Sequence, residues 1–305
     1  MSQHPHSSLG AYAPRYWPTW LLVGGMWLIA RLPIPALFQI GKVFGLLALR
    51  FAGKRRHITQ VNIEHCFPSL TAEEKKKLVT DNFIHTGIGA VEMALPWLNP
   101  KRNIRDRLSV SGEEHLQRAH AMGKGVILVG GHYTTIDVTS QALGDTGVID
   151  VMYRANKNPV WERLQVGGRD HFFDGVIERG DMRQILKRLN QGRAIWYAAD
   201  QDYGRRHSVF APFFGIQAAT ITVAARLAQR QACPVIMLHQ YRDLKSHRWK
   251  LVFSPILEHF PSGDPHEDAS RLNALLEASL KDAPEQYLWM HRRFKTRPEG
   301  EPGFY

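Results

Sequence analysis

Apolar residues are distributed unevenly along the chain, with two long apolar tracts near the N-terminus. Residues 17–30 carry no charge and lie between Arg15 and Arg31, and residues 34–51 carry few, widely spaced polar residues. The first tract is shorter than the roughly 20 residues of a usual transmembrane helix, but flanking aromatic and arginine side chains extend its hydrophobic reach. We therefore predict a membrane-anchor helix within residues 1–31 and a second helix in or beneath the membrane surface.

The orientation of this anchor is predicted from the charge that follows it. Lys54, Arg55 and Arg56 come directly after the second tract. By the positive-inside rule, this predicts a single-pass protein whose C-terminal body lies on the cytoplasmic side. The alternative is that both tracts form core helices of a soluble domain.

Beyond the apolar tracts, short apolar runs alternate with segments of helical spacing. A capping box at Thr71 and Glu74 predicts the start of a helix. From about residue 125 the alternation predicts an α/β fold with a mostly parallel central sheet flanked by helices, and residues 32–305 read as one domain. The predicted strands are 126–129, 148–153 and 194–199, the predicted hairpin joins 234–241 to 249–253, and the predicted helices include 182–189 and 270–281.

The composition adds a strong positive charge. The formal net charge is +11, from 39 Lys and Arg against 28 Asp and Glu. A surplus of this size favours acidic partners, which include nucleic acid, anionic lipid and an acidic carrier protein. The two cysteines, Cys66 and Cys233, exclude a disulfide framework and a C-x-x-C site.

The segment GGHYTTIDV, residues 130–138, carries the candidate chemistry. His132 follows a buried strand, and Asp137 comes five residues later. If a helix starts between them, Asp137 lies in its first turn and accepts a hydrogen bond from the imidazole of His132. The other ring nitrogen then acts as a general base toward a hydroxyl group. Chance alone predicts one or two such pairs in this chain, so a core histidine beside a capping aspartate is the alternative.

Several segments resemble one family. The sequence is similar, over nearly its whole length, to the lipid A biosynthesis acyltransferases, the late lauroyl and myristoyl transferases of Gram-negative bacteria. The resemblance rests on the strand-borne HxxxxD/E motif, WYAADQDYG (196–204), VFAPFFG (209–215) and APEQYLWMHRRFKTRPEG (283–300). Within the family, the chain resembles the lauroyl branch. Many members of that branch resemble HxxxxE, so Asp137 departs from them in side-chain length.

The resemblance implies a glycerolipid-acyltransferase-like fold and a reaction that needs neither metal nor cofactor. A fatty acyl chain, lauroyl in the first instance, moves from acyl carrier protein to a hydroxyl of an acyl chain on Kdo2-lipid IVA at the inner membrane. His132 is implied as the general base and Asp137 as its partner. The acidic carrier, the phosphorylated acceptor and the inner-membrane lipid account for the positive charge without nucleic acid.

The resemblance also links Arg169 and Asp200 to activity. A fixed guanidinium at Arg169 suits a phosphate or a developing oxyanion, and a surface salt bridge is the alternative. Asp200 ends a predicted strand, where it orders Arg169 or another cation, or merely caps a loop. The weaker substrate-binding candidates are Arg154, which follows strand 148–153, and the cationic residues Arg292, Arg293 and Lys295, whose alternative is a solvated or lipid-facing run.

Three rival functions remain open from the sequence. A metal-dependent hydrolase would use His132, Asp137, Asp200 and Asp202 as ligands, although no paired ligand motif is present. A non-enzymatic basic protein would bind membrane or nucleic acid without His132. The same fold could also transfer a myristoyl, palmitoleoyl or hydroxylauroyl chain, because pocket depth sets the chain length.

Overall fold

A seven-stranded sheet forms the centre of the protein. The computed structural model describes residues 8–305, so the first seven residues of the predicted anchor lie outside the described residues. The strands are β1 (Leu108–Ser111), β2 (Val126–Gly130), β3 (Ile149–Tyr153), β4 (Val176–Glu178), β5 (Ala194–Ala198), β6 (Ser208–Phe213), β7 (Ile216–Ile221), β8 (Val235–Asp243) and β9 (Arg248–Phe253). The order in the sheet is β1-β9-β8-β2-β5-β3-β4, and β6 and β7 form a separate antiparallel pair. Neighbours in the large sheet are parallel except in the β8–β9 hairpin, which confirms the predicted α/β fold and the predicted hairpin.

Helices cover both faces of this sheet. The helices are α1 (Trp17–Ile29), α2 (Ile34–Phe51), α3 (Gly53–Cys66), α4 (Ala72–Glu92), α5 (Ala94–Leu98), α6 (Glu113–Ala121), α7 (Ser140–Asp145), α8 (Pro159–Asp170), α9 (Met182–Asn190), α10 (Val223–Gln231) and α11 (Pro265–Leu280). The capping box that opens α4 is formed as predicted, because Thr71 Oγ1 accepts from the Glu74 amide and Glu74 accepts from the Thr71 amide. The helix α2 has the predicted bounds.

Strand β2 illustrates why the sheet is buried on both sides. Val126 and Leu128 pack into a cluster that includes Val166 of α8, whereas Ile127 packs into a second cluster on the opposite face. A strand that is covered on both faces needs an unbroken apolar run rather than alternation. This is why VILV was recognisable in the sequence.

The segment after β2 differs from the prediction. The helix α7 begins at Ser140, so Asp137 lies in an irregular turn rather than in the first turn of a helix. The reason is that this backbone bonds to other parts of the chain. The Thr134 amide donates to the Gln286 carbonyl at 2.8 Å, and Arg242 donates to the Thr134 carbonyl at 3.3 Å.

Candidate active site

Two loops that meet at the carboxyl edge of the sheet build the site. Strands β2 and β5 are parallel neighbours, and Gly130 at the end of β2 is in register with Ala198 at the end of β5. His132 and Asp200 each lie two residues beyond these positions. Ligand sites of open α/β sheets gather at this edge, so the topology itself brings the two side chains together.

Asp200 holds His132 by two hydrogen bonds. Its Oδ1 lies 2.5 Å from the ring Nδ1 of His132, and its Oδ2 accepts from the backbone N–H of His132 at 2.9 Å. Asp200 is buried, whereas the His132 side chain is 26% exposed. One carboxylate therefore fixes both the backbone and the ring of the same residue and leaves the far edge of the ring accessible.

The electrostatics of this pair favour its charged form. Burial by itself lowers the pKa of His132, but the negative charge of Asp200 and its hydrogen bond outweigh burial and raise that pKa above the usual 6.5. Burial likewise raises the pKa of Asp200, yet the neighbouring His132 holds it well below its usual value. The carboxylate thus stays ionised beside an imidazole that it makes more basic.

The second ring nitrogen of His132 faces a neighbouring side chain. The Gln201 amide nitrogen lies 2.9 Å from Nε2 of His132. If Nδ1 donates its hydrogen to Asp200, Nε2 is the unprotonated nitrogen and accepts from Gln201. A base with this tautomer is oriented to receive a proton at Nε2.

Asp137 does not fill the role that its spacing suggested. Arg169 donates to Oδ1 of Asp137 from Nε at 3.0 Å and from Nη2 at 2.7 Å, and both residues are buried. The predicted hydrogen bond from His132 to Asp137 is therefore replaced by one to Asp200. The prediction failed because it assumed a helix directly after His132, whereas the turn presents Asp137 to α8. Asp200, in turn, orders His132 and not Arg169.

A buried ion pair holds the residues that directly follow His132. Arg242 of β8 and Glu92 of α4 form a salt bridge at 2.5 Å, and both are almost fully buried. Glu92 also accepts from the Thr135 hydroxyl at 3.0 Å, and Arg242 donates to the Thr134 carbonyl. Gly89 allows this close packing, because a Cβ there would lie 1.8 Å from the Thr134 carbonyl oxygen. This network could not be predicted from the sequence, because its residues are distant along the chain.

An open cleft of about 320 Å³ lies in front of His132. Three arginines line it, namely Arg154, Arg169 and Arg179. Arg154 is exposed, as its predicted substrate-binding role requires. Arg179 was not predicted. Its guanidinium lies 4.8 Å from the ring centre of Tyr203, and its Nη1 is buried with no hydrogen-bond partner among the described residues.

A second, largely apolar groove adjoins this cleft. Its volume is about 420 Å³, and it shares Met152, Arg179, Tyr197 and Tyr203 with the cleft. Ile221 and Val223 extend its apolar wall. The polar reacting group thus lies beside a cavity that suits a hydrocarbon chain.

The basic C-terminal cluster divides into buried and accessible residues. Arg293 is 1% exposed and donates to the Ala219 carbonyl and to the Thr220 hydroxyl. Its predicted substrate-binding role is therefore wrong for this structure, because its guanidinium is used inside the fold. Arg292 is half-buried, with its guanidinium 5.6 Å from the Tyr305 ring, and Lys295 is exposed and lies 3.8 Å from Asp202. These two remain available to a ligand.

Of the three carboxylates of the metal-site alternative, only Asp200 contacts His132. Asp137 pairs with Arg169, and Asp202 accepts from the backbone and hydroxyl of Thr296 at 2.6 and 2.9 Å. Within residues 8–305, no group of three or more His, Cys, Asp and Glu side chains is placed to hold a metal ion. The alternative thus gains no support from the geometry.

Fold and site together define an α/β protein with a carboxylate-oriented histidine beside an apolar groove. Comparison with known proteins makes this specific. The profile of the bacterial lipid A biosynthesis acyltransferase family matches residues 5–296. The chain is 37% identical to the lipid A biosynthesis lauroyltransferase of Escherichia coli, with all of both chains covered. It is 36% identical to the lipid A biosynthesis palmitoleoyltransferase of the same organism, with 96% of this chain and 95% of the relative covered.

The chain therefore belongs to the bacterial lipid A biosynthesis acyltransferase family. This confirms the resemblance that the motifs indicated, and the protein is an acyltransferase of lipid A biosynthesis.

Proposed function

We propose that the protein moves a fatty acyl chain, in the first instance lauroyl, from acyl carrier protein to a hydroxyl of a 3-hydroxyacyl chain on Kdo2-lipid IVA. The observation that carries this proposal is the His132–Asp200 pair, which opens onto a cleft with an apolar groove beside it. No metal and no cofactor take part in the proposed reaction.

The geometry of the pair supports a direct transfer. The acceptor hydroxyl takes the place of the Gln201 amide at Nε2 of His132 and gives its proton to that nitrogen. The acceptor oxygen attacks the carbonyl carbon of the donor thioester, and the carbon–sulfur bond breaks from the resulting tetrahedral intermediate. The proton on Nε2 then passes to the leaving sulfur, so His132 ends the cycle as it began. Asp200 stabilises the imidazolium that exists between these two transfers.

The Asp137–Arg169 pair has a supporting part in this mechanism. Arg169 lines the cleft while Asp137 fixes its position through two hydrogen bonds. A held guanidinium in a partly dry site favours the oxyanion of the intermediate, although the charge of Asp137 reduces its net effect. Asp137 is therefore proposed as a positioning residue for Arg169 and no longer as the direct partner of His132.

The unpaired cations of the cleft suit the phosphates of the substrates. Arg154 is exposed, and the buried Nη1 of Arg179 has no partner among the described residues, so both guanidinium groups are free to bind an anion. The proposed acceptor carries phosphate groups, and the proposed carrier is acidic. The cationic Arg292 and Lys295 extend this positive surface, which favours the approach of an acidic carrier.

The length of the transferred chain depends on the apolar groove. The two relatives named above differ by one percentage point in identity, and their names give different acyl chains. Identity therefore does not choose between lauroyl and a longer chain, and myristoyl, palmitoleoyl and hydroxylauroyl donors remain alternatives. The depth of the groove between Met182 and Ile221 is the feature we expect to decide it.

The test is a mass measurement on the product. The purified protein is incubated with Kdo2-lipid IVA and with acyl carrier proteins that bear chains of different lengths. We expect the acceptor to gain the mass of one acyl unit, most rapidly with laurate. The variant His132→Ala should lose a factor of about 10² to 10⁴ in rate, whereas the exposed His120→Ala should be unaffected. A product without any added acyl unit would contradict the proposal.

A further inference from the structure

The two N-terminal helices leave a large apolar surface uncovered. Ten of the sixteen large apolar side chains that are exposed within residues 8–305 belong to α1 and α2. The most prominent are Leu21, Trp27 and Leu28 of α1 and Phe44, Leu47 and Phe51 of α2, and we call these six the N-terminal apolar surface. Leu21 and Phe51 are 79% and 76% exposed. Exposed apolar side chains concentrated in this way on two helices mark contact with a protein or a membrane.

The charge of the same region indicates which of these partners it meets. Residues 1–63 contain seven Lys or Arg and no Asp or Glu, so they account for +7 of the net charge of +11. Exposed cations accompany both helices, among them Arg15, Arg31, Lys42, Arg50 and Lys54. Apolar side chains flanked by Lys and Arg, without a single acid, are typical of a helix that lies on an anionic bilayer.

Both ends of α1 are attached to the α/β body. Near its first turn, Thr19 Oγ1 accepts from the Asn158 side chain at 3.2 Å. Directly after its last turn, the Ala30 carbonyl accepts from Arg102 at 2.9 Å and from Asn99 at 3.1 Å. The helix has 13 residues, which corresponds to about 20 Å, whereas the hydrocarbon core of a bilayer is about 30 Å thick. A helix that is too short and is held at both ends cannot cross.

Both ends of α2 are also attached to the body, through apolar packing. This helix is long and apolar enough to span a membrane by length and composition. Its first half packs through Phe38 against Trp249 of the central sheet, with ring centres 5.8 Å apart, and its last turn packs through Leu49 against the cluster of α4. Between these ends the backbones touch, because a Cβ on Gly87 of α4 would lie 2.3 Å from the Gly45 amide.

We propose that the protein is monotopic. The helices α1 and α2 lie in the plane of one leaflet of an anionic bilayer, insert the N-terminal apolar surface between its lipids, and do not cross it. The partner is the lipid surface itself, with exposed cations such as Arg15, Lys42 and Lys54 facing its phosphates. This arrangement replaces the single-pass topology that the sequence alone predicted, because the contacts keep both ends of each helix on the same side as the body.

The first experiment determines on which side of the membrane the helix ends lie. Single cysteines are placed at the exposed positions Pro14→Cys, before α1, and Pro33→Cys, between α1 and α2. The native Cys66 and Cys233 are buried, so the unaltered chain serves as the blank. A membrane-impermeant maleimide should label neither variant in intact spheroplasts and both in inverted vesicles. Labelling of either position from outside the spheroplasts would mean that a helix crosses, and would overturn the proposal.

The second experiment measures binding to lipid. The purified full-length chain is floated with vesicles of phosphatidylcholine alone and of phosphatidylcholine mixed with phosphatidylglycerol. We expect strong binding with the anionic lipid, and a loss of about ten-fold or more for each of Leu28→Glu and Leu47→Glu. Lys54→Gln should cost about five-fold on anionic vesicles alone.

The matched control is Met122→Glu, which places the same charge on a 57% exposed apolar residue outside α1 and α2. It should float like the unaltered chain, and thermal unfolding should show that all variants are folded. Equal flotation of Leu28→Glu and Met122→Glu would refute the lipid contact, and binding that ignores phosphatidylglycerol would refute the preference for anionic lipid.

Discussion

Replacing Asp200 by asparagine tests which carboxylate orients the catalytic base. In the structure, Oδ1 of Asp200 faces the ring Nδ1 of His132 at 2.5 Å, and Oδ2 accepts from the His132 backbone N–H at 2.9 Å. Asparagine keeps the shape but has one oxygen. If that oxygen keeps the backbone N–H, the amide NH₂ faces Nδ1 and moves the ring hydrogen to Nε2, where it blocks the base. We expect the rate to fall by about 10² to 10⁴, the range for a lost or misprotonated general base.

The pH profile gives a sharper readout than the rate alone. Burial and the charge of Arg169 lower the pKa of His132, while Asp200 raises it above 6.5 overall. The base works when it is neutral, so the activity of the unaltered enzyme should fall as the pH drops through this raised pKa. Without the charge of Asp200 the lowering influences remain, and the residual activity of Asp200→Asn should persist below pH 6.5. The assay is the initial rate of acyl transfer from about pH 5 to about pH 9.

Two matched variants decide between the possible partners. Asp202→Asn lies two residues away and interrupts bonds to Thr296, so it should leave the pH profile in place. Asp137→Asn weakens the hold on Arg169 and should lower the rate without moving the ring hydrogen of His132. If Asp200→Asn retained the rate and the profile while Asp137→Asn abolished both, Asp137 would be the orienting group and the mechanism proposed here would be wrong.

Three further predictions concern the surroundings of the site. In Gly89→Ala the new Cβ would lie 1.8 Å from the Thr134 carbonyl oxygen and should displace it. We expect a loss of about 1–3 kcal/mol in unfolding free energy and of about ten-fold or more in rate. Unchanged values in thermal unfolding and in acyl transfer would contradict this packing. Glu92→Gln should lower the free energy of unfolding, measured in urea, by about 3–5 kcal/mol, because Arg242 stays buried and charged. Adding Arg242→Met should recover part of this loss. A loss below about 1 kcal/mol would show that the ion pair does not stabilise the fold. Burial lowers the pKa of His239 to about 4. Between pH 6.5 and pH 4, therefore, this histidine is protonated in the unfolded chain and neutral in the folded chain, and stability falls as the pH drops through this range. His239→Gln should reduce that slope by about 1.4 kcal/mol per pH unit, and equal slopes would refute this assignment.

The sequence predicted the parts of the site but not their pairing. Strand β2 was recognisable because burial on both faces requires an apolar run, and His132 followed from its position at the end of that run. The partner of His132 could not be read in the same way, because Asp200 lies 68 residues further along and reaches the ring only through the neighbouring β5. Spacing along the chain favours Asp137, whereas sheet order selects Asp200.

Arginine roles were the least predictable part. Arg292 and Arg293 are adjacent and chemically alike, yet Arg293 is buried against the Thr220 hydroxyl while Arg292 stays accessible. Nothing in the sequence indicated Arg179, because the feature that makes it a candidate is a buried nitrogen beside the cleft without a hydrogen-bond partner among the described residues. Burial and tertiary partners decide these roles, and one sequence does not contain them.

The apolar tract in the sequence predicted the bounds of α2 correctly, but it did not show whether the helix packs on the body or spans a membrane. Its small residues Gly41 and Gly45 let the helix lie directly on α4, and a hydrophobicity pattern does not distinguish such a helix from one that spans a membrane. The contacts at both ends of the helix carry our proposal that it lies along the membrane.

The order of the strands has a consequence for biogenesis. Strand β5 lies between β2 and β3, so a nascent chain that ends before residue 194 holds two strands whose native neighbour has not yet been made. Unpaired apolar strands of this kind attract wrong partners, and chaperones are expected to bind the chain at that stage. The strand that completes the sheet also leads directly into Asp200. A half-made polypeptide therefore has no activated imidazole, and it can neither transfer nor waste an acyl group before its core has closed.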